Sequence, residues 1–183
     1  MTERTATILF TNVRDSTALF QRAGNEAAYE ALRAHFAVLR NAIEQEGGRM
    51  VKTVGDGVMA VFEAPSAAVR AVLRAHELMA GDMDGIQPVH LKAGVHVGDC
   101  MIADIDQRED YIGAAVNIAA QLARAGDGGD VVISADAFRD TAVADTAQRH
   151  ELNVVTNEML VKGSTIPLQY HKLRPARVTW SRC

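Results

Sequence analysis

The chain has 183 residues, of which 48% are hydrophobic and 23% charged, a composition typical of a single globular domain. The formal net charge of −4 argues against a general nucleic-acid-binding protein, since there is no basic run to neutralise a phosphate backbone. Cys100 and Cys183 belong to no Cys-x-x-Cys or Cys/His cluster, so neither structural zinc nor a disulfide framework is expected. The N-terminus lacks the apolar core of a signal peptide, and no run of about 18 apolar residues occurs. We therefore expect a cytoplasmic protein without a membrane span.

The first predicted elements are a strand and a long helix. Residues 5–11 are β-prone, and Ser16 is a suitable N-cap for the segment that follows. Over residues 25–46, apolar side chains recur at spacings of three and four residues, which places them on one face of a helix. Gly47-Gly48 is expected to end that helix.

Residues 48–62 predict a β-hairpin. Two runs rich in Val and Met flank Gly55-Asp56-Gly57, and Asp-Gly between such runs is a strong hairpin signal. Lys52 precedes Asp56 by four residues, an even offset that places both side chains on one face. A fixed carboxylate beside a fixed ammonium suits a metal-bound polyphosphate. A surface hairpin whose Asp56 serves only the turn is the alternative.

The middle of the chain predicts a helix and a second hairpin. The helix begins at Pro65 and is followed by a loop at residues 81–88. Residues 89–97 alternate apolar and polar side chains, which is typical of a half-buried strand. Residues 100–105 are expected to be the hairpin partner of that strand. His90 and His96 share its polar face, and we expect them to be surface or interface residues rather than metal ligands.

The last third of the chain predicts a helix over residues 114–125 and a strand over residues 130–134. Residues 150–172 predict two β segments around the loop Lys162-Gly163-Ser164. The tail from Arg174 is expected to be frayed. This order of elements predicts an α+β domain with a largely antiparallel sheet, a ferredoxin-like core and helices packed on one face.

Five short motifs occur in order along the chain. They are Ile8-Leu9-Phe10-Thr11-Asn12-Val13, the segment 47–57, Gly94-Val95-His96-Val97-Gly98, the segment 110–119 and Val161-Lys162-Gly163. Each is weak alone, but in this order and spacing they resemble the class III adenylyl and guanylyl cyclase catalytic domain. The resemblance implies a cyclase homology domain over residues 1–173 and a C-terminal tail over residues 174–183.

The resemblance also implies a mode of action. Domains of this family work as head-to-tail dimers with the site at the subunit interface. There, two carboxylates hold two divalent ions that bind the triphosphate and activate the ribose 3′-hydroxyl. The cofactor would be Mg²⁺ or Mn²⁺ and the ligand a purine nucleoside triphosphate. The assembly would be a homodimer, with a heterodimer with a competent cyclase as the alternative.

Site residues carry over from the matching motifs. Asp56 would be a metal ligand, with the backbone carbonyl of Val13 as a minor one. Lys52 and Asp110 would read the purine edge, a pair that the family associates with adenine and hence with ATP. Asn117 would orient the ribose, and Lys162 would hold the terminal phosphates. A structural helix asparagine and a solvated lysine are the respective alternatives for the last two.

Three positions depart from the family pattern. Asn12 stands where the family has its first metal-binding aspartate, and an amide brings no charge to a hard cation. Gln121 stands where the family has an arginine that neutralises the reacting phosphate, a task worth about 10³–10⁵ in rate in other phosphoryl-transfer enzymes. Arg124 lies three residues further on. Asp15 occupies the usual glycine position of the phosphate-binding turn, where it either turns outward or replaces the missing carboxylate.

Three functional hypotheses follow from these matches and departures. The first is an active, divalent-metal-dependent adenylate cyclase that converts ATP to cyclic AMP and pyrophosphate. The second, which the departures favour, is an impaired or inactive cyclase-like domain that binds nucleotide or dimerises in cyclic-nucleotide signalling. The third is a purely structural dimerisation domain.

Overall fold

The computed structural model describes residues 2–80, 89–105 and 107–176. The strands are β1 (Thr2–Val13), β2 (Arg49–Val54), β3 (Gly57–Phe62), β4 (Leu91–Ile105), β5 (Arg108–Ile112), β6 (Val131–Ser134), β7 (Leu152–Leu160) and β8 (Pro167–Pro175). The helices are α1 (Ser16–Gln45), α2 (Pro65–Ala80), α3 (Ala114–Ala125), α4 (Ala135–Phe138) and α5 (Thr141–Arg149). Among these described helices, none has both the length and the apolar character needed to cross a membrane. The predicted loop at residues 81–88 lies outside the described residues.

One sheet forms the centre of the domain, with strand order β2-β3-β1-β4-β6-β8-β7 and with β5 paired to β4. The β4–β6 pair is parallel and the other pairs are antiparallel. The predicted α+β class with a largely antiparallel sheet is therefore confirmed.

Helices cover both faces of this sheet, so the prediction that they pack on one face was wrong. Leu39 of α1 and Val72 of α2 share a buried cluster with Leu9 of β1. Residues Ala115, Ala119 and Ala123 of α3 pack instead with Ile8 and Phe10, on the opposite face of β1. Small residues make the second layer feasible, because the alanines of α3 let its backbone lie close to the strands.

Strand β4 is accordingly buried on both faces at its centre, where only one buried face was predicted. A Cβ atom added at Gly94 would lie 2.2 Å from the backbone nitrogen of Ala123 and 2.3 Å from the backbone oxygen of Ala119. Alternation of apolar and polar residues predicted a solvated face, but Gly94 and His96 belong to the face that α3 covers.

The predicted hairpin boundary in this region was also wrong. Strand β4 continues through residues 98–100, because β1 pairs with it throughout and the Thr5 side chain donates a hydrogen bond to Asp99. The hairpin partner is β5, which begins at Arg108.

Helix α1 begins earlier than predicted and contains a break. Its N-cap residue is Asp15, not Ser16, and Gly24 adopts φ 80° and ψ 166° inside the helix. The apolar spacing over residues 25–46 therefore detected only the part of α1 that follows the break. At the other end of the chain, Arg174 belongs to β8 and pairs with Asp127 rather than fraying.

The approach of α3 to β4 gives a first prediction. Gly94→Ala should lower the free energy of unfolding by at least about 2 kcal/mol, since its methyl group meets helix backbone that cannot rotate away. Gly98→Ala is the matched control on the same strand, because its Cβ would meet side-chain atoms of Ala115 and His96 at 3.1 Å and 3.2 Å. Denaturant unfolding measures both. Equal stability of the two variants would contradict the close packing of α3.

Candidate active site

The first group of predicted site residues lies where β1 ends beside the β2–β3 turn. The Thr11 hydroxyl accepts a hydrogen bond from the Val58 backbone N–H at 3.0 Å, which ties the turn to β1. A Cβ atom at Gly57 would lie 2.6 Å from the Asn12 side-chain oxygen and 2.0 Å from the Thr11 carbonyl oxygen. Glycine at position 57 thus allows Asn12 to lie directly against the turn that carries Asp56.

The donor atoms of this group are suited to a hard cation. Asp56 supplies a half-buried carboxylate, Asn12 an amide oxygen and Val13 a backbone carbonyl, and oxygen is the ligand that Mg²⁺ and Mn²⁺ prefer. Within the described ranges, no three or more His, Cys, Asp or Glu side chains cluster as a metal site would. The oxygen atoms of these residues are therefore of the type that binds a divalent ion. Asp56 contributes one formal negative charge, and Asn12 contributes none.

The turn after Asn12 is shaped by Arg14 and Asp15. Asp15 adopts the left-handed conformation with φ 53°, which aspartate tolerates better than most residues. Its carboxylate pairs with the Arg14 guanidinium at 3.2 Å, and the backbone N–H of Arg14 donates to the His90 backbone carbonyl oxygen at 2.7 Å. This pairing favours the outward orientation of Asp15 over the role of replacement metal ligand.

The second group joins two strands that are not neighbours in the sheet. The Lys52 ammonium on β2 lies 2.5 Å from an Asp110 carboxylate oxygen on β5. Tyr111 of β5 and Met59 of β3 belong to the same buried cluster as the alanines of α3, and β5 approaches β2 through this region. The structure therefore brings together two residues that are 58 positions apart and that were predicted to share a site.

A second polar bridge lies beside that pair. Arg49 donates to Glu109 and, at 3.1 Å, to the Tyr111 hydroxyl, which in turn donates to Glu109 at 3.1 Å. The Arg49 guanidinium also lies 5.6 Å from the centre of the Tyr111 ring. Sequence reasoning missed this bridge, since nothing in the residue spacing places Arg49 near β5.

The third group combines α3 with the β7–β8 loop. Asn117 and Gln121 are four residues apart, so they lie on one face of the helix. The Lys162 backbone N–H donates to the Gln121 side-chain oxygen at 2.7 Å. Arg124 is exposed on the next turn of the same helix. The three predicted residues Asn117, Gln121 and Lys162 are thus brought together.

The three groups remain separate within one chain. Across the residues that the structure describes, no hydrogen bond or ion pair links the Asn12–Asp56 group to Lys52–Asp110 or to Asn117, Gln121 and Lys162. Each group is therefore held by its own contacts, and none of these contacts holds one group against another.

Two buried histidines were not predicted. His35 is fully buried, and both of its ring nitrogens lack a hydrogen-bond partner among the described residues. Burial lowers the pKa of His35 from 6.5 to about 4, while the Asp56 carboxylate acts in the opposite direction. The spacing of Leu32, His35 and Leu39 could have revealed this position, because it follows the buried stripe of α1.

His96 is the second buried histidine. The prediction that it lies at the surface or at an interface was wrong. Its Nδ1 atom lies 2.8 Å from the Ser134 hydroxyl oxygen, in the interior of the domain. Burial lowers the pKa of His96, and Asp136 opposes that effect. His90 is exposed, as predicted.

Comparison with known proteins decides the family. The family model described as "Adenylate and Guanylate cyclase catalytic domain" matches residues 2–173. The chain belongs to that family. It is 32% identical over 152 residues to an adenylate cyclase of Lachancea kluyveri and 30% identical over 156 residues to one of Mycosarcoma maydis. These matches cover 70% and 73% of this chain but only 8% and 6% of the two relatives, so the chain spans less than a tenth of their length.

Solved cyclase structures share the fold. The guanylyl cyclase Cya2 superposes with a TM-score of 0.81 at 21% identity, covering 98% of this chain and 96% of that one. The adenylyl cyclase CyaB from P. aeruginosa gives 0.79 at 24% identity, covering 97% and 98%. The observed α+β architecture is therefore that of cyclase catalytic domains.

The burial of His35 gives a second prediction. Its pKa is 6.5 when unfolded and about 4 when folded, so the unfolded chain binds the proton more readily. Stability from this residue is complete above pH 6.5 and is lost as pH falls toward 4, by about 3 kcal/mol in all. His35→Leu should remove that part of the acid dependence of unfolding, whereas His150→Leu, at an exposed position, should leave it. An unchanged pH profile for His35→Leu would show that the histidine is not buried as described.

Proposed function

We propose that this chain binds a metal-chelated purine nucleoside triphosphate, with ATP favoured, and that it cyclises the nucleotide slowly or not at all. The observation that carries the proposal is the position of Asn12. Its neutral amide lies against the turn that holds Asp56, where the family resemblance places a second carboxylate. The chain would then act in cyclic-nucleotide signalling through binding and dimerisation.

The charge of the metal group supports impaired turnover. Asp56, the Asn12 oxygen and the Val13 carbonyl would hold Mg²⁺ or Mn²⁺. Such ions, when bound, polarise the triphosphate and lower the pKa of the attacking hydroxyl. Affinity for hard cations depends on the number of carboxylate charges, so a group with one carboxylate should bind two divalent ions only weakly. Gln121, a neutral residue at the position of the family's arginine, removes stabilisation of the reacting phosphate as well.

The Lys52–Asp110 pair supports recognition of adenine. An ammonium donor beside a carboxylate acceptor complements the ring nitrogen and the amino group on one edge of adenine. The pair is preformed at 2.5 Å, and the Asp110 side chain is only 17% exposed, so little ordering would be needed on binding. The similarity to adenylate cyclases points the same way.

The separation of the three groups supports a dimeric site. In a head-to-tail homodimer, the Asn12–Asp56 group of one copy would face Asn117 and Lys162 of its partner. Exposed apolar side chains on the β4–β5 hairpin, including Ile105 at 43% and Ile112 at 48% exposure, provide surface for association. A heterodimer with a competent cyclase would use the same surface and would restore one complete site.

A turnover assay tests impaired catalysis. Purified protein is incubated with Mn²⁺ and each of the four nucleoside triphosphates, and cyclic product is measured. We expect negligible product from the unmodified chain. Asn12→Asp should increase product by about tenfold or more, since carboxylate charge strengthens the metal site.

Asn12→Ala is the control for that experiment, because it changes the same position without adding charge, and it should give no gain. Robust cyclic product from the unmodified chain would refute impaired catalysis. It would establish instead the alternative, an active adenylate cyclase.

A binding experiment tests nucleotide recognition. Calorimetry with ATP and Ca²⁺ should show binding. Asp110→Asn should weaken ATP binding by about tenfold, because Lys52 loses its charged partner and the base is left with a neutral amide oxygen, which is a weaker acceptor than a carboxylate. Glu158→Gln removes an exposed carboxylate on β7 and should have no effect. Absence of binding heat for the unmodified chain would favour a purely structural dimerisation domain.

A further inference from the structure

Helix α3 and the β7–β8 hairpin meet through an apolar contact. Ile118 on the helix packs against the same cluster as Met159 and Leu168, which lie at the ends of the two strands nearest the loop. Beyond this contact the hairpin continues into a loop that is largely exposed, with Leu160 at 65% and Ile166 at 75% exposure. Apolar packing therefore holds the strands next to the loop, and Val161 at the start of the loop is itself buried at 8% exposure, whereas the residues that follow it are exposed.

The tip is shaped by its own hydrogen bonds. The Ser164 N–H donates to the Val161 carbonyl oxygen at 2.9 Å, and the Ser164 hydroxyl oxygen accepts the Ile166 N–H at 3.1 Å. Gly163 takes φ 90°, a conformation that favours glycine. These bonds define the local shape of the loop but none of them joins it to α3.

Gln121 makes that connection. Its side-chain oxygen accepts the Lys162 N–H at 2.7 Å, and its side-chain nitrogen donates to the Asn117 carbonyl oxygen at 3.4 Å. In the part of the chain that the structure describes, the exposed Lys162 ammonium has no hydrogen-bond or ion-pair partner of its own. The Gln121 amide thus links the backbone of Lys162 to the turn of α3 that carries Asn117.

We propose that Gln121 is a positioning residue for Lys162. By accepting the Lys162 N–H, it holds the tip of the β7–β8 loop against α3 and presents the ammonium beside Asn117 for the triphosphate. This inference rests on the proposed function for the task of Lys162. The loop contact itself does not depend on nucleotide.

The chemistry of the link requires an acceptor at position 121. Glutamine and glutamate both have side-chain oxygens that can accept an N–H, whereas methionine offers at most a weak sulfur acceptor and arginine offers none. Arginine would also place a second positive charge near Lys162. Gln121→Arg therefore does not simply restore the family pattern, because it releases the loop while it supplies the cation.

Amide hydrogen exchange tests the link without nucleotide. In Gln121→Met and Gln121→Arg, the Lys162 amide should exchange about three- to tenfold faster than in the unmodified chain, as expected for the loss of one hydrogen bond. Gln121→Glu should keep its protection. The Ser164 amide, which is bonded within the loop, should change little in all three variants. Equal Lys162 exchange in the unmodified chain and Gln121→Met would overturn the link.

A double-mutant cycle tests whether the link acts through Lys162. Calorimetry with ATP and Ca²⁺ should show a two- to tenfold loss of affinity for Gln121→Met when Lys162 is present, about the effect of one hydrogen bond. No further loss should occur when Lys162→Met is already in place. The same loss in both backgrounds would overturn the positioning role.

The exchange measurement and the double-mutant cycle distinguish a failure of this inference from a failure of the proposed function. If the unmodified chain does not bind ATP, the proposed function fails, and the phosphate task of Lys162 fails with it. The exchange rates then still decide whether Gln121 holds the loop.

Discussion

The close approach of α3 to β4 is the constraint on which the site depends. Because position 94 has no side chain, the helix backbone lies directly on the strand, and the alanines at 115, 119 and 123 point into the sheet. A helix placed this closely has little freedom to rotate. Its outward face, with Asn117 and Gln121, is therefore set by packing on the opposite side. The orientation of the polar residues of α3 is therefore determined by the apolar contacts of the opposite helix face.

Two neutral amides stand where the resemblance expects charges, and both are integrated into the structure. Asn12 lies against the β2–β3 turn, and Gln121 bonds the Lys162 backbone. The shape of a nucleotide site can thus persist while its electrostatics weaken, since asparagine has nearly the size of aspartate without its charge, and glutamine accepts a backbone N–H that arginine could not accept. Geometry alone is accordingly a poor guide to turnover, and the charges at these two positions are a better one.

Local sequence patterns predicted the helices and strands more reliably than they predicted which of these elements pack against each other. The β2–β3 hairpin around Asp56 followed from turn chemistry, and the pairing of Lys52 with Asp110 followed from the family motifs. Strand alternation could not predict that α3 would cover the polar face of β4, because that depends on contacts between distant residues, such as Gly94 with Ala119, 25 positions further along the chain. The contact of Gln121 with Lys162 escaped prediction for the same reason, since it joins residues 41 positions apart.

The central claim is a shortage of negative charge at the metal group, and counting bound ions tests it most directly. Mn²⁺ binding is measured by electron paramagnetic resonance with a non-reacting ATP analogue at saturating concentration. One tightly bound Mn²⁺ per nucleotide, the ion that the triphosphate itself chelates, is the predicted result. Two tightly bound ions per nucleotide would contradict the account, because Asp56 and the Asn12 amide would then hold what two carboxylates normally hold.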